Sequence, residues 1–308
     1  MAFIDILGAN HAYELTPPIA SPSPVLVFIH GWLLSRNYWQ PLIDRLAPDY
    51  QCLTYDLRGF GESQPLRDKT QKSFESLDSK LPTTEASASS SSSYTLAAYA
   101  QDLNMLLQQL GIDQAWLIGH SLGGSIALWG ASIASDRVKG VICVNAGGGI
   151  YIKEEFERFR AVGQQLVKQR PRWLRYLPLL DLLLMRSQVA RPVARRWGRQ
   201  RLIDFVTANP EAALRALLDS TTEAEVIRLP QLVSKLTQPV YFIAGANDRV
   251  MEPKYVHHLA SFHSSFQDCS ENVIEIPECG HMTMVEQPEA LGTQIRNILL
   301  SHQTIDLS

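Results

Sequence analysis

The sequence predicts an α/β protein with a mostly parallel β-sheet covered on both faces by helices. Three observations carry this. Six segments are near-continuously apolar and of strand length: VLVFI (25–29), QCLTY (51–55), QAWLI (114–118), VKGVICVN (138–145), PVYFIAG (239–245) and NVIEI (272–276). Such strands suit a sheet buried on both faces. Helical-period segments separate them, the alternation that builds parallel sheets. The chain has 308 residues, 45% of them hydrophobic, enough for one core of about 200–250 residues and an added module.

The elements follow in order. After VLVFI comes NYWQPLIDRLA, a helical pattern, then QCLTY and the glycine-punctuated turn DLRGFGES. Residues 64–93 change character. EASASSSSS within them cannot bury enough apolar area to offset the cost of ordering, so 64–93 reads as a flexible surface insertion. Order resumes at TLAAYAQDLNMLLQQLGI, where Leu96, Tyr99, Leu103, Leu106, Leu107 and Leu110 recur at helical spacing and Gly111 ends the pattern. QAWLI then leads into LIGHSLGG and a helix of small residues. From 147 to 236 the pattern is mainly helical and basic. Between Lys153 and Arg201 stand 13 Lys/Arg and 4 Asp/Glu, a balance of +9, so the rest of this −3 chain carries −12. The α/β rhythm returns at PVYFIAG, with a helix near Tyr255–Phe262, the strand NVIEI and a last helix from Pro288 to about His302. The organisation is therefore a core at 1–146 and 237–308 interrupted by a helical unit at 147–236.

The totals narrow the function. A near-neutral charge carries no nucleic-acid signal. Four dispersed cysteines, Cys52, Cys143, Cys269 and Cys279, form no metal knuckle or disulfide scaffold. The amino terminus lacks the pattern of a secretory signal, and no apolar run is long enough to span a bilayer. A cytoplasmic location is expected, with no metal and no organic cofactor.

In LIGHSLGG a hydroxyl, Ser121, stands where a strand turns into a helix. The crowded backbone there demands small neighbours, which Gly119 and Gly123 supply, and the helix amino terminus offers free N–H groups to a developing negative charge. GxSxG alone is a weak signal; its strand–turn–helix setting strengthens it. A serine needs a base, and the base an orienting acid. GANDRVMEP places Asp248 just past one strand, and PECGHMTMVEQPE places His281 just past the next. The order Ser, Asp, His suits a shared sheet edge. His11, His257, His258, His263 and His302 read as solvated or packing side chains, while His30 and His120 sit within motifs. A rival acid after VKGVICVN would fall at Asn145, which carries no charge. The oxyanion needs donors: the N–H of Leu122, and the N–H of Trp32 in HGWLL, where Gly31 permits close approach. The side chains of Trp32 and His120 are the expected pocket residues.

Together VLVFIHGW, YDLRGFGES, LIGHSLGG, GANDRVMEP and PECGHMTMVEQPE resemble the α/β-hydrolase superfamily, in its lid-bearing group with an HG oxyanion motif. The resemblance covers 25–63, 94–148 and 237–302. It implies an eight-stranded, mostly parallel sheet, a triad of Ser121, Asp248 and His281, and a helical lid at 147–236. A serine at 121 argues against the dehalogenases and epoxide hydrolases of the superfamily, which use aspartate. Arg58 in DLRGFGES reads as an ion-pair partner rather than a substrate ligand.

The expected reaction is cleavage of a carboxylic ester, with a small lipophilic molecule as substrate. The alternatives are carbon–carbon bond hydrolysis or an elimination run by the same triad, and a non-catalytic binding protein. In the helical unit, WLRYLPLLDLLLM followed by RSQVARPVARRWGRQR interleaves leucine and arginine. This is either a solvated lid over the pocket or a surface that rests on an anionic membrane.

Overall fold

A computed structural model describes residues 1–19, 23–64, 94–148, 153–267 and 272–303. The serine-rich segment read as a flexible insertion, 64–93, lies outside them apart from Gln64. Eight strands form one sheet in the order β1-β2-β4-β3-β5-β6-β7-β8.

The chain opens with β1 (Ala2–Ile6) and β2 (Ala9–Leu15), an antiparallel hairpin. Its two-residue turn, Leu7-Gly8, has both φ angles positive (53° and 78°), matching the twist of the paired strands. β2 pairs antiparallel with β4, and every later pairing is parallel. The hairpin borders the sheet and mixes Asp5, Asn10, His11 and Glu14 among its apolar residues, so no long apolar run marks it in the sequence. β3 (Val25–Ile29) is wholly buried. Val25, Val27 and Ile29 join one core cluster and Leu26 and Phe28 the other, as alternation across a doubly covered sheet requires.

After α1 (Gln40–Leu46) and β4 (Cys52–Tyr55), the helix α2 (Leu96–Gln109) is capped by Thr95, whose side chain accepts from the Ala98 N–H at 3.1 Å. Gly111, at φ 66°, follows its end. Then come β5 (Ala115–His120), α3 (Leu122–Ile133) and β6 (Val138–Val144). β3 lies between β4 and β5, so the strand order reverses there, and the loops leaving β3 and β5 open a crevice at the carboxyl edge.

The helices α4 (Lys153–Lys168), α5 (Leu180–Arg186), α6 (Arg195–Thr207), α7 (Pro210–Ser220) and α8 (Glu223–Val233) all lie between β6 and β7 (Val240–Gly245). α9 (Pro253–Ala260), α10 (Ser264–Gln267), β8 (Val273–Ile276), α11 (Thr283–Glu286) and α12 (Pro288–Gln303) complete the chain. Among the described residues, no helix is long and apolar enough to cross a membrane.

Candidate active site

The turn from β5 to α3 holds Ser121 at φ 52° and ψ −118°, a conformation that costs a non-glycine residue about 1–3 kcal/mol. Packing enforces it. A Cβ at Gly119 would strike the Gly123 carbonyl, and one at Gly123 would strike the backbone of Ile29 and His30. Both glycines of the motif are thus steric necessities. A Cβ at Gly31 would stand 2.8 Å from His120 Nδ1 and 3.3 Å from Ser121 Cβ, so the loop after β3 touches the serine turn directly.

That loop is anchored by His30. Its Nδ1–H donates to the Gly31 carbonyl at 2.8 Å and its Nε2 accepts from the Leu57 N–H at 2.9 Å. Burial holds its pKa below the ordinary histidine value, consistent with a neutral ring. The N–H groups of Trp32 and Leu122, expected as oxyanion donors, have no acceptor among the described residues, and both residues line one cavity with Ser121. The Trp32 side chain also borders it, and its Nε1–H donates to the Ala213 carbonyl in α7 at 2.8 Å.

Asp248 and His281, from the two late motifs, meet in the structure. His281 Nδ1–H donates to Asp248 Oδ2 at 2.7 Å, with both residues buried. Asp248 also accepts from the N–H groups of Val250 (2.8 Å) and Met251 (3.0 Å) and from Asn145 Nδ2 (2.9 Å). Burial alone would raise its pKa, but the adjacent imidazole and the backbone donors outweigh it and set the carboxyl below its ordinary value. His281 and Ser121 line the same cavity with no hydrogen bond between them. That bond commonly tightens only in the substrate complex.

His120 borders the cavity but is fully buried. Its Nε2–H donates to the His281 carbonyl at 2.8 Å. Burial, then the neighbouring imidazole of His281, lowers its pKa to about 3, so it stays neutral. This geometry suits it to holding the His281 loop more than to touching substrate. Arg58 is an ion-pair partner: its guanidinium meets Asp102 with bonds of 3.0, 2.8 and 2.6 Å.

Three residues hold supporting roles that the sequence reading did not assign. Asn145, at φ 50°, bridges Asp248, the Gly280 carbonyl (3.2 Å) and the Thr283 hydroxyl. Its place directly after a central strand was the available signal. Glu286 accepts from the N–H groups of Gly280 (2.9 Å), Ala190 (2.8 Å) and Arg191 (2.6 Å), clamping the His281 loop to the helical insertion. Gln188 offers its carbonyl to the His281 N–H at 2.7 Å. No local pattern marks these last two.

The cavity holds about 330 Å³ and is mainly apolar. Its far wall comes from the insertion: Phe159, Val162 and Leu166 of α4, Leu184 of α5, Phe205 of α6 and Leu217 of α7.

Residues 24–288 match the family model described as alpha/beta hydrolase fold. A 2-succinyl-6-hydroxy-2,4-cyclohexadiene-1-carboxylate synthase from Serratia proteamaculans is 26% identical over 282 residues, covering 90% of this chain and 94% of the relative. Among solved structures, a thermophilic esterase from Thermogutta terrifontis aligns with a TM-score of 0.69 at 22% identity, over 95% of this chain and 94% of its own. Esterase RhEst1 from Rhodococcus sp. ECU1013 aligns with a TM-score of 0.72 at 20% identity, over 97% and 98%. At these identities the structural matches speak to fold.

Proposed function

The chain belongs to the α/β hydrolase family of enzymes, and from that premise we propose that it is a serine hydrolase transferring the acyl group of a carboxylic ester to water. The buried 2.7 Å bond between His281 and Asp248, beside a cavity shared with Ser121, carries this reading. Ser121 Oγ attacks the ester carbonyl carbon while His281 Nε2 takes its proton. Asp248 fixes the ring and stabilises the imidazolium. The Trp32 and Leu122 N–H groups hold the oxyanion; losing one such donor raises a barrier by about 2.7–4 kcal/mol. The alcohol leaves with the proton from His281, and an acyl-serine remains. Water then loses a proton to His281, its oxygen bonds the acyl carbon, and the acid departs as Ser121 recovers its proton.

Replacing Ser121 with alanine tests this. Turnover of short p-nitrophenyl esters is expected to fall about 10⁴-fold or more, and fluorophosphonate labelling to vanish. Undiminished turnover would refute the assignment.

The insertion serves as a lid, and its apolar wall over the cavity favours a lipophilic substrate. Its outer surface favours a membrane contact. Trp173 (57% exposed), Tyr176 (72%), Leu179 and Leu183 (68%) stand in solvent, and Arg175, Arg186, Arg195 and Arg199 of the same segment are exposed. Exposed apolar side chains and cations in one segment suit an anionic bilayer, where each nearby Lys or Arg contributes about 1 kcal/mol, although Arg195 and Arg199 share Asp181 as a counterion. Liposome flotation checks this: the protein is expected to rise with anionic vesicles at low salt and to stay behind with neutral ones.

A second reading, carbon–carbon bond cleavage or elimination by the same three residues, is favoured by the Serratia relative's being named a synthase. Product analysis on diketone substrates separates it from ester cleavage.

A further inference from the structure

Among the described residues lining the cavity, Arg201 of α6 is the single guanidinium or ammonium group. It is 9% exposed. Its Nη1–H donates to the Leu33 carbonyl, and its other donors find no acceptor on the described chain. No carboxylate among the described residues lies within ion-pair distance of it. Asp204 and the Tyr38 hydroxyl are near enough to favour the Arg201 charge electrostatically, but Asp204 makes its hydrogen bonds elsewhere, accepting from Ser35 Oγ and Gln200 Nε2, each at 2.9 Å. Burial, against these donors, raises the Asp204 pKa to about 7, which makes it a weak counterion. The contrast with Arg36 and Arg58 is direct: each of those meets a buried aspartate. A cation taken out of water with no carboxylate bonded to it is costly, and a guanidinium presents a planar fork that fits a carboxylate.

We infer that Arg201 supplies the carboxylate-binding subsite of the cavity, so that the ester cleaved is an anionic amphiphile, such as a half-ester of a dicarboxylic acid. The cavity then reads as an apolar channel with one cation on its wall and Ser121 at its floor. This rests on the hydrolase reading above. It also has a structural competitor, because the bond to Leu33 braces the loop that carries Trp32.

The test compares p-nitrophenyl half-esters of dicarboxylic acids, succinate through sebacate, with neutral isosteres whose terminal carboxylate is replaced by an isopropyl group. The readout is the ratio of kcat/KM, anionic over neutral, within each protein. The wild type is expected to favour the anionic ester at one chain length, Arg201→Gln to lower that ratio about tenfold or more, and Arg201→Lys to keep an intermediate value. A pure bracing role would lower both esters together and leave the ratio unmoved. An unmoved ratio, or a wild-type preference for the neutral isostere at every length, overturns the inference. If neither ester turns over and fluorophosphonate fails to label Ser121, the hydrolase reading has failed instead. Calorimetry with monomethyl adipate and its homologues on Ser121→Ala protein then decides the subsite. Binding lost on adding Arg201→Gln supports it, and no binding, or equal binding, overturns it.

Discussion

The loops at the carboxyl edge of the sheet and the helical insertion above them are built on different principles. At the sheet edge the charged and strained groups are buried and heavily bonded. Asp56 accepts from the Arg36 N–H at 2.7 Å and the Glu62 N–H at 2.9 Å, and also meets the Arg36 guanidinium. Asp248 accepts four hydrogen bonds. The insertion instead leaves large apolar side chains from Trp173 to Leu183 in solvent, while Ala212, Ala216, Leu229 and Val233 on its inner side pack into the core, and polar tethers tie it to the sheet-edge loops. Among these are Trp32 to Ala213, Arg201 to Leu33, Ser35 to Asp204, His281 to Gln188, and Glu286 to Ala190 and Arg191. Reacting groups must hold position within fractions of an ångström, which dense bonding provides. A covering element needs only attachment, so its outer face is open to other demands.

The largest expected effect attacks the densely bonded side. Asp248→Asn keeps the shape but lets the amide donate toward His281 Nδ1, favouring the wrong tautomer; turnover of a p-nitrophenyl ester should drop about 10⁴-fold with little change in thermal midpoint. Comparable turnover in this variant would mean that the buried pair is only structural.

A tether should show an intermediate effect. Glu286→Gln replaces two acceptor oxygens with one and leaves at least one of the three N–H groups without its acceptor. A loss of about 1–3 kcal/mol in stability is expected, together with about tenfold slower turnover as the His281 loop loosens. Calorimetry and steady-state kinetics on one preparation would read both; unchanged kinetics would show that the clamp serves folding alone.

The smallest effect lies inside the insertion and depends on pH. Burial raises the Asp204 carboxyl to about 7, so between the ordinary carboxylate pKa and that value the native state holds a proton that the unfolded chain has lost. Stability from this group is therefore complete at low pH and lost as pH rises through about 7. Asp204→Asn, with the Ser35 hydroxyl turning to accept from the new amide, should be more stable than wild type above pH 7 by about 1 kcal/mol, with the advantage fading toward pH 4. An advantage independent of pH would contradict the raised carboxyl.

Much of the core was legible because its signals are local. Glycines at 119 and 123 and the run QAWLI announce a tight turn at a strand end, and the same punctuation places Asp248 and His281. The amino-terminal hairpin was not legible. Its strands border the sheet, half exposed, with His11, Asn10 and Glu14 among their residues, so their pattern lacks the continuous apolarity of the centre. Arg201 was equally hidden: nothing adjacent in sequence separates it from Arg195 or Arg199, which stay half or more exposed, whereas Arg201 is buried.

By itself, then, the sequence determined the alternation of strand and helix, the strained serine turn and the two later turns that carry carboxylate and imidazole. Each depends on backbone sterics and apolarity within a few residues. Tertiary structure alone decided which arginine faces the cavity, which leucines face water, and how Asn145, Gln188 and Glu286 hold the site together. Those outcomes depend on burial and hydrogen bonding between segments far apart in the chain, where no nearby residue records which partner will arrive.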